Sequence, residues 1–149
     1  MDNWDVVHIK LPAHGDSGDT PRAIGALSAS ALGFDAISLL DADNWFDSDH
    51  IASLLDVQQQ TGVQVVTCAR TLRREDESIL GVCVESDGQR FNDTNCYMIM
   101  RSVFYIFSTW GFKDKGLAAV GDSIFWNNLV RAKFSRANRP PGRCRLFRA

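Results

Sequence analysis

Two aspartates one residue apart, Asp41 and Asp43, carry the sharpest chemical signal in the chain. They follow directly after the apolar run from Ala36 to Leu40, which is typical of a buried strand. Open α/β sheets bind their ligands at the carboxyl ends of such strands. Carboxylate oxygens suit Mg²⁺ or Mn²⁺, which keep several waters and bridge to substrate phosphates. The pair therefore predicts a site for a divalent cation and a phosphate-bearing ligand, whereas turn or capping aspartates are the alternative without chemistry.

The elements around this pair alternate between helix and strand patterns. Gly33 and Gly62 mark the ends of two helices, because glycine commonly follows a helix. This order is typical of α/β proteins with an open, mainly parallel sheet and flanking helices. We predict a strand at 6–11, a helix from Asp19 or Thr20 to about residue 32, a strand at 36–40, a helix ending near residue 60 and a strand at 63–69.

The second half of the chain changes its pattern. We predict strands at 79–85 and 97–100, a very apolar helix at 102–110, and a last helix from near Asp122 to about residue 136. Trp110 and Trp126 lie in these apolar helices. A tryptophan there is either part of the core or a stacking face for a sugar.

Length and composition fit one globular domain. The chain has 149 residues, of which 45% are hydrophobic and 23% charged, and this excludes a disordered chain. No apolar run approaches the roughly 20 residues of a membrane span, and the first residues lack the basic and apolar regions of a signal peptide. The four cysteines are widely spaced and form no zinc pattern with the three histidines. We therefore expect a cytoplasmic protein with reduced thiols.

Basic residues concentrate at the carboxyl end. Residues 131–149 hold seven of the 16 lysines and arginines and none of the 18 acids. We divide the chain into a domain at 1–136 and a basic, flexible tail at 137–149. The tail suits peripheral contact with an anionic membrane surface or with phosphates, although a solvated chain end is the simpler explanation. We expect no nucleic-acid partner.

Two neighbouring segments together resemble the centre of the family 2 glycosyltransferases, which have the GT-A fold. These segments are Asp19–Gly25 and Ile37–Asp43. Further along, Asn95–Arg101 resembles the acceptor-side segment of that family, and Gly121 with Asp122 resembles its acidic element. The resemblance covers roughly residues 6–130 and is most specific at the Asp-x-Asp segment.

One departure from the family lies at the amino end. Members of the family begin with strand–helix–strand units that bind the nucleotide base. In this chain one predicted strand and one predicted helix precede Asp41. The resemblance therefore implies a GT-A-like sheet that is short at its amino end. Such a sheet leaves an unpaired edge and an apolar face, from which we predict a homo-oligomer.

The resemblance implies the transfer of a sugar from a nucleotide-diphosphate sugar to an acceptor hydroxyl, with inversion by direct displacement. It assigns the divalent metal, Mn²⁺ or Mg²⁺, to Asp43 together with Asp41, which would reach the waters of the metal or the nucleotide ribose. Arg22, at a helix start, would contact the donor diphosphate. Asp122 would be the catalytic base, kept charged by the start of its helix, with a helix cap as the structural alternative. If Asp122 is only a cap, the other candidates for the base are Asp93, Asp114 and Glu85. Trp110 is the candidate for a sugar-stacking face.

Two other functions stay open. A haloacid-dehalogenase-like phosphatase also places Asp-x-Asp after a buried strand, with the first aspartate, here Asp41, as nucleophile. Against it, Asn44-Trp45 stands where that family has Gly-Thr, and no lysine lies between Arg70 and Lys113. The other alternative is a non-catalytic remnant of a glycosyltransferase that acts as a binding or assembly module.

Overall fold

A four-stranded main sheet and a separate hairpin make up the β-structure. The computed structural model describes residues 5–13, 15–74, 76 and 78–139. The main sheet has the order β1-β5-β2-β6, and β3 pairs with β4 alone. In chain order these strands are β1 (Ala36–Ser38), β2 (Val65–Thr67), β3 (Thr71–Arg73), β4 (Ile79–Val82), β5 (Tyr97–Met100) and β6 (Arg136–Asn138).

Strand β5 gives the main sheet its mixed character. It runs antiparallel to both of its neighbours, β1 and β2, while β2 and β6 are parallel. The predicted α/β class is confirmed, but the prediction of a mainly parallel sheet is wrong. The strands β1 and β2 do run in the same direction, yet β5 lies between them instead of beside them. Hydrophobic periodicity identifies strands but not their order in the sheet, so it could not reveal this insertion.

In the described part of the chain, four α-helices accompany the sheets. Two of them confirm the helices predicted before and after the Asp-x-Asp pair. At the end of the second, Gly62 adopts φ 65°, a left-handed conformation that glycine reaches without strain. None of the helices in the described ranges is both long and apolar enough to cross a membrane. The helices are α1 (Asp19–Ala31), α2 (His50–Thr61), α3 (Ser108–Phe112) and α4 (Gly121–Arg131).

The apolar segment predicted as one helix at 102–110 consists of two shorter elements. Arg101–Phe107 forms a 3₁₀ segment, and α3 follows it. Val103 has φ −125°, which lies outside helical geometry and interrupts the helix. The last helix also ends earlier than predicted, at Arg131, and the chain turns through Lys133 (φ 57°) into β6.

Residues 6–11, predicted as a strand, have no regular structure and are largely exposed. The side chains of Val6 and Val7 are 84% and 67% exposed. A strand needs a neighbour to satisfy its backbone groups, and neither of the described sheets includes this segment. The β-forming residues are present, but the strand prediction is wrong because nothing in the described fold pairs with them.

An aromatic core lies between the main sheet and the helices α1, α3 and α4. Its centre is the pair Trp110 and Phe125, whose rings are nearly parallel with centroids 4.0 Å apart. Tyr97 of β5 packs edge-on against Phe125 at 5.6 Å. A second cluster, on the opposite face of the strands, packs Leu54 of α2 against Val66. These two cores hold β5 and α4 in place, and both elements carry parts of the site.

Strand β6 brings the carboxyl end of the described chain into the main sheet. It pairs with β2, and the N–H of Arg139 donates to the carbonyl of Thr67 at 2.8 Å. The sheet thus extends across the domain boundary predicted at residue 136. Residues 140–149, which form most of the predicted basic tail, lie outside the described residues.

Candidate active site

Polar side chains from three strands meet at one edge of the main sheet. Because β5 is antiparallel to β1 and β2, its first residue lies beside their last residues. A cavity of about 340 Å³ opens at this edge. The structure brings the Asp-x-Asp pair and Asp122 to this one cavity, although they are far apart in the chain. Its charged lining residues are Asp41, Asp43, Arg70, Glu85, Asp93 and Asp122.

Three consecutive buried residues directly before β5 hold this edge together. The carboxylate of Asp93 also accepts the N–H of Asn95 at 3.1 Å, which tightens the turn into the strand. Each of the three residues thus connects the central strand with a different part of the site. The contacts are Asp93 with Arg70, Thr94 with Asp122, and Asn95 with Asp41.

Asp41 is held on both of its carboxylate oxygens. Oδ1 accepts a hydrogen bond from Nη2 of Arg22 at 2.7 Å, and Oδ2 accepts one from Nδ2 of Asn95 at 3.1 Å. Oδ1 of Asn95 accepts the backbone N–H of Asp41 at 2.6 Å, and its Nδ2 also reaches Asp93 at 3.0 Å. Asn95 is only 2% exposed. This one buried amide therefore positions two carboxylates of the cavity.

Asp43 has a more open environment than Asp41. It is exposed, and its Oδ1 accepts a hydrogen bond from Nδ2 of Asn44 at 2.7 Å. Mg²⁺ and Mn²⁺ need only one or two carboxylates when waters and substrate phosphates complete their shell. Asp43 fits this role, whereas Asp41 is already engaged. Within the described ranges, no group of three or more His, Cys, Asp or Glu side chains could hold a metal, so a cation at Asp43 would need ligands from a substrate.

Arg22 lies in the first turn of α1 and is fixed beside Asp41. Its Nη1 donates to the carbonyl of Ser17 at 3.1 Å, and its guanidinium lies 5.6 Å from the ring centre of Trp110. Gly18, which lies beside the guanidinium, has φ 87°, a left-handed backbone conformation that glycine adopts without strain. The guanidinium therefore has a defined position beside Asp41. It lines a neighbouring cavity of about 600 Å³, which Asp41 also lines, and not the carboxylate cavity itself.

The two tryptophans considered as sugar-stacking faces belong to the aromatic core. Trp110 and Trp126 are each 2% exposed. Trp110 stacks on Phe125, and the guanidinium of Arg22 lies over its ring. Neither ring offers an open face to a sugar in this structure. Trp110 contributes to the site through the position of Arg22 rather than by direct contact with the cavity.

Asp122 is the second residue of α4 and lines the cavity. The helix begins at Gly121 with Val120 at the capping position, and no side chain caps it. A buried ion pair between Asp19 and Lys113 packs against Gly121. A Cβ at Gly121 would lie 3.0 Å from Oδ1 of Asp19. Glycine lets α4 start close to this pair without a tight contact, and this start sets where Asp122 enters the cavity.

The pKa of Asp122 is raised above the usual value for aspartate. Burial is the largest cause, because it disfavours the charged form. The hydrogen bond from Thr94 and the charge of Arg22 lower the pKa, and the carboxylates of Asp93 and Asp41 raise it. The start of a helix alone would lower the pKa of Asp122, so the observed shift is in the opposite direction. A carboxylate with a raised pKa in a polar cavity is typical of general acid–base sites.

Arg70, which follows β2, links the cavity to a buried thiol. Its guanidinium binds Asp93 and hydrogen-bonds with Cys83. Burial alone would raise the pKa of Cys83, but the hydrogen bond with Arg70 and those with the backbone at Ser86 and Glu85 outweigh it, so the pKa is lowered. Arg70 thus connects Asp93 in the cavity with Cys83, which directly follows β4 of the hairpin.

Sequence reasoning missed Arg70 and Thr94 as site residues, considered Asp93 only as a substitute for Asp122 as the base, and gave Asn95 no individual role. One signal could have found three of them. Asn92–Asn95 is an unbroken polar run directly before an apolar strand. Polar side chains are costly to bury unless they are hydrogen-bonded, so such a run marks a network. Nothing comparable marks Arg70, whose partners come from distant parts of the chain.

No family model and no curated protein matches this chain. The similarity to family 2 glycosyltransferases therefore stands on the motifs of this sequence.

Proposed function

We propose that the chain is a glycosyltransferase that moves a sugar from a nucleotide-diphosphate sugar to an acceptor hydroxyl. One observation carries the proposal: the Asp-x-Asp pair and Asp122 line one cavity, in which residues 93–95 connect Asp41 with Asp122. Direct displacement requires the donor and the acceptor hydroxyl to meet in near-attack geometry. A cavity that combines an exposed carboxylate for a cation with a half-buried carboxylate for a proton suits both partners.

On the donor side, Arg22 and Asp43 would bind the diphosphate. Arg22 lies at the start of α1, where the helix dipole adds partial positive charge. Asp43 would hold Mn²⁺ or Mg²⁺, which when bound supplies charge neutralisation for the leaving diphosphate. Each carboxylate oxygen of Asp41 has a further lone pair besides those used by Arg22 and Asn95. Asp41 would use it to accept a ribose hydroxyl.

On the acceptor side, Asp122 would take the proton of the attacking hydroxyl. Its raised pKa brings the carboxylate closer to the operating pH, where a general base is most effective. Thr94 orients it by hydrogen bonding. As the proton passes to Asp122, the acceptor oxygen bonds to the sugar carbon and the bond from sugar to diphosphate breaks. A single displacement of this kind inverts the configuration at the sugar carbon.

The contacts of Asp41 favour this reaction over phosphatase chemistry. A phosphatase nucleophile needs an electron-rich carboxylate oxygen, and hydrogen bonds to that oxygen reduce the nucleophilicity of its remaining lone pair. Both oxygens of Asp41 already accept hydrogen bonds, from Arg22 and Asn95. The raised pKa of Asp122 favours a catalytic site over a non-catalytic module, because carboxylates with raised pKa values cluster at functional sites.

Nucleotide binding tests the donor side. UDP and GDP are titrated by calorimetry with and without Mn²⁺. We expect Mn²⁺ to tighten binding at least about tenfold, and Asp43→Asn to abolish that gain, because Asp43 has the exposed carboxylate. Asp56→Asn, at an exposed position of α2, is the matched control and should bind like the native chain. Binding that ignores the metal, or an Asp43→Asn chain that still responds to it, would contradict the proposal.

A second assay separates the enzyme classes. We expect slow hydrolysis of a nucleotide sugar and no turnover of p-nitrophenyl phosphate in the presence of Mg²⁺. Efficient turnover of p-nitrophenyl phosphate that is lost in Asp41→Asn would instead identify Asp41 as a phosphatase nucleophile.

A further inference from the structure

The hairpin β3–β4 borders a groove of about 960 Å³. Large aliphatic side chains of β4 and of the residues after it are between 48% and 87% exposed, namely those of Ile79, Leu80, Val82 and Val84. The last three line the groove together with Leu72 of β3. Single exposed aliphatic residues are ordinary, but a contiguous group marks a binding surface. We call this feature the hairpin groove.

The hairpin groove leads into the carboxylate cavity. Arg70, Leu72 and Glu85 line both. A molecule that lies along the aliphatic wall would therefore have one end among the carboxylates of the cavity. Cys83, which contacts Arg70, lies in the same wall.

Among the described residues that line the hairpin groove, the charges nearly balance. Arg70 is already bound to Asp93, and Asp76 accepts the N–H of Ser78 at 2.9 Å within the hairpin. The walls of the groove are aliphatic, and its positive and negative side chains neutralise one another. Such a groove suits a ligand that has an aliphatic chain and an uncharged head group. Hydroxyl groups can both donate and accept, so they match the guanidinium and the carboxylate at the cavity end. The charged lining residues are Arg70, Arg73, Arg74, Asp76 and Glu85.

We propose that the hairpin groove binds the aliphatic part of the acceptor, an amphipathic molecule whose uncharged, hydroxyl-bearing head group enters the cavity past Arg70 and Glu85. This assignment rests on the proposed function, because the head group carries the hydroxyl that Asp122 deprotonates. Burial of each methylene adds to the affinity, so the affinity rises with the length of the chain. The hairpin thereby selects the acceptor by its aliphatic part, and the transfer of the sugar takes place in the cavity.

Alkyl maltosides test the hairpin groove without donor or metal. Calorimetry with the full chain, below the micelle concentration, should give at least about tenfold tighter binding of decyl than of hexyl maltoside. Leu80→Ser and Val84→Ser should each weaken the binding of decyl maltoside at least about fivefold. Phe112→Ser removes a side chain that is 91% exposed at the end of α3 and should leave the binding unchanged. All three positions are exposed, so the variants keep the core intact.

Cys83 gives a local readout of the same binding. Decyl maltoside should slow the modification of Cys83 by iodoacetamide, measured by mass spectrometry of its peptide, whereas maltose should not. Affinity that is independent of chain length, or that is unchanged in Leu80→Ser and Val84→Ser, would overturn the proposal. Sedimentation that shows these two variants turning an oligomer into monomers would also overturn it, because a second copy then covers the groove. Decyl maltoside binding beside metal-independent nucleotide binding would support the groove and overturn only its role as an acceptor site.

Discussion

The hydroxyl of Thr94 donates a hydrogen bond to the carboxylate of Asp122, which links the residues before β5 to the first turn of α4. The bond lowers the pKa of Asp122 against the effect of burial, which raises it. A neutral side chain at the entry to the central strand thus controls both the position and the ionisation of the proposed base.

Replacing Thr94 by valine should raise the pKa of Asp122 further. Thr94→Val keeps the shape of the side chain but removes the donor that favours the charged form. We expect a loss of about 1.5–3 kcal/mol in the free energy of unfolding, as for other hydrogen bonds to charged groups. Carboxyl carbon NMR gives the pKa, and urea unfolding gives the free energy.

Thr94→Ser retains the donor and should restore the titration of Asp122. Thr61→Val, which removes a hydroxyl that donates to Val57 within α2, controls for the loss of a threonine and should not change that titration. An Asp122 pKa that is the same in Thr94→Val and in the native chain would show that the hydrogen bond has no influence on the base.

Replacing Asn95 by aspartate should destabilise the protein in a pH-dependent way. Asn95→Asp removes the donors to Asp41 and Asp93 and adds a third carboxylate between them. Repulsion and burial raise the pKa of the new acid in the folded state. Its protonated form persists at low pH, so the cost is small there and grows as the pH rises above the usual aspartate range.

Urea unfolding at pH 4 and at pH 7.5 checks this dependence. We expect a loss of about 2–4 kcal/mol at pH 7.5 and a clearly smaller loss at pH 4. Asn127→Asp, at an exposed position of α4, is the matched control. Equal losses at both pH values would mean that Asn95 does not separate two carboxylates.

The sequence pattern predicted the elements around Asp41 better than the sheet that contains them. The helices α1 and α2 are confirmed because glycines and apolar spacing are local signals. The insertion of β5 between β1 and β2 depends on tertiary contacts such as Ile99 with both Ile37 and Val65. No local pattern encodes that order, so the mixed sheet could not be predicted.

The same contrast holds for the site. The Asp-x-Asp pair was visible because its two acids are adjacent to a strand, but the contacts of Asp41 with Arg22 and Asn95 join residues that are far apart. The core position of Trp110 also required tertiary information, because an apolar segment does not reveal which ring faces the core. Chemistry that lies within one segment can be found from the sequence, and chemistry that is assembled by folding cannot.

We predict that the chain self-associates through the side of the main sheet at β1. β1 is an outer strand of the described sheet, and Phe34 and Leu40, which flank it, are exposed. Unpaired strand edges with apolar neighbours favour association. Sedimentation at micromolar concentration should show species above the monomer mass of 16.6 kDa.

Leu40→Lys should shift this distribution towards the monomer, because a lysine beside an open edge opposes pairing. Leu55→Lys, at an exposed position of α2, is the matched control. A native chain that sediments as a monomer at all concentrations would refute self-association.

Replacing Asp122 by asparagine should not lower the stability at neutral pH. Burial raises the pKa of Asp122, so the folded state holds a proton between the usual aspartate pKa and this raised value, where the unfolded chain has lost it. The stability that the acid contributes is therefore present below the usual pKa and is lost as the pH rises through the raised value. Asparagine is neutral throughout and still accepts the Thr94 hydrogen bond, so Asp122→Asn should gain stability relative to the native chain across this window.

Asp122→Asn should also remove the general base, while binding of the nucleotide donor persists. We expect sugar transfer to fall by about 10²–10⁴-fold, the usual worth of a general base, with Mn²⁺-dependent binding of UDP or GDP intact. In the native chain, the acid limb of the pH–rate profile should lie above the usual aspartate range, because the raised pKa of Asp122 sets it. Asp56→Asn controls for the removal of a charge and should change neither rate nor profile. A less stable Asp122→Asn protein with unchanged transfer would make Asp122 structural, and Glu85, which lines the same cavity, would be the next candidate for the base.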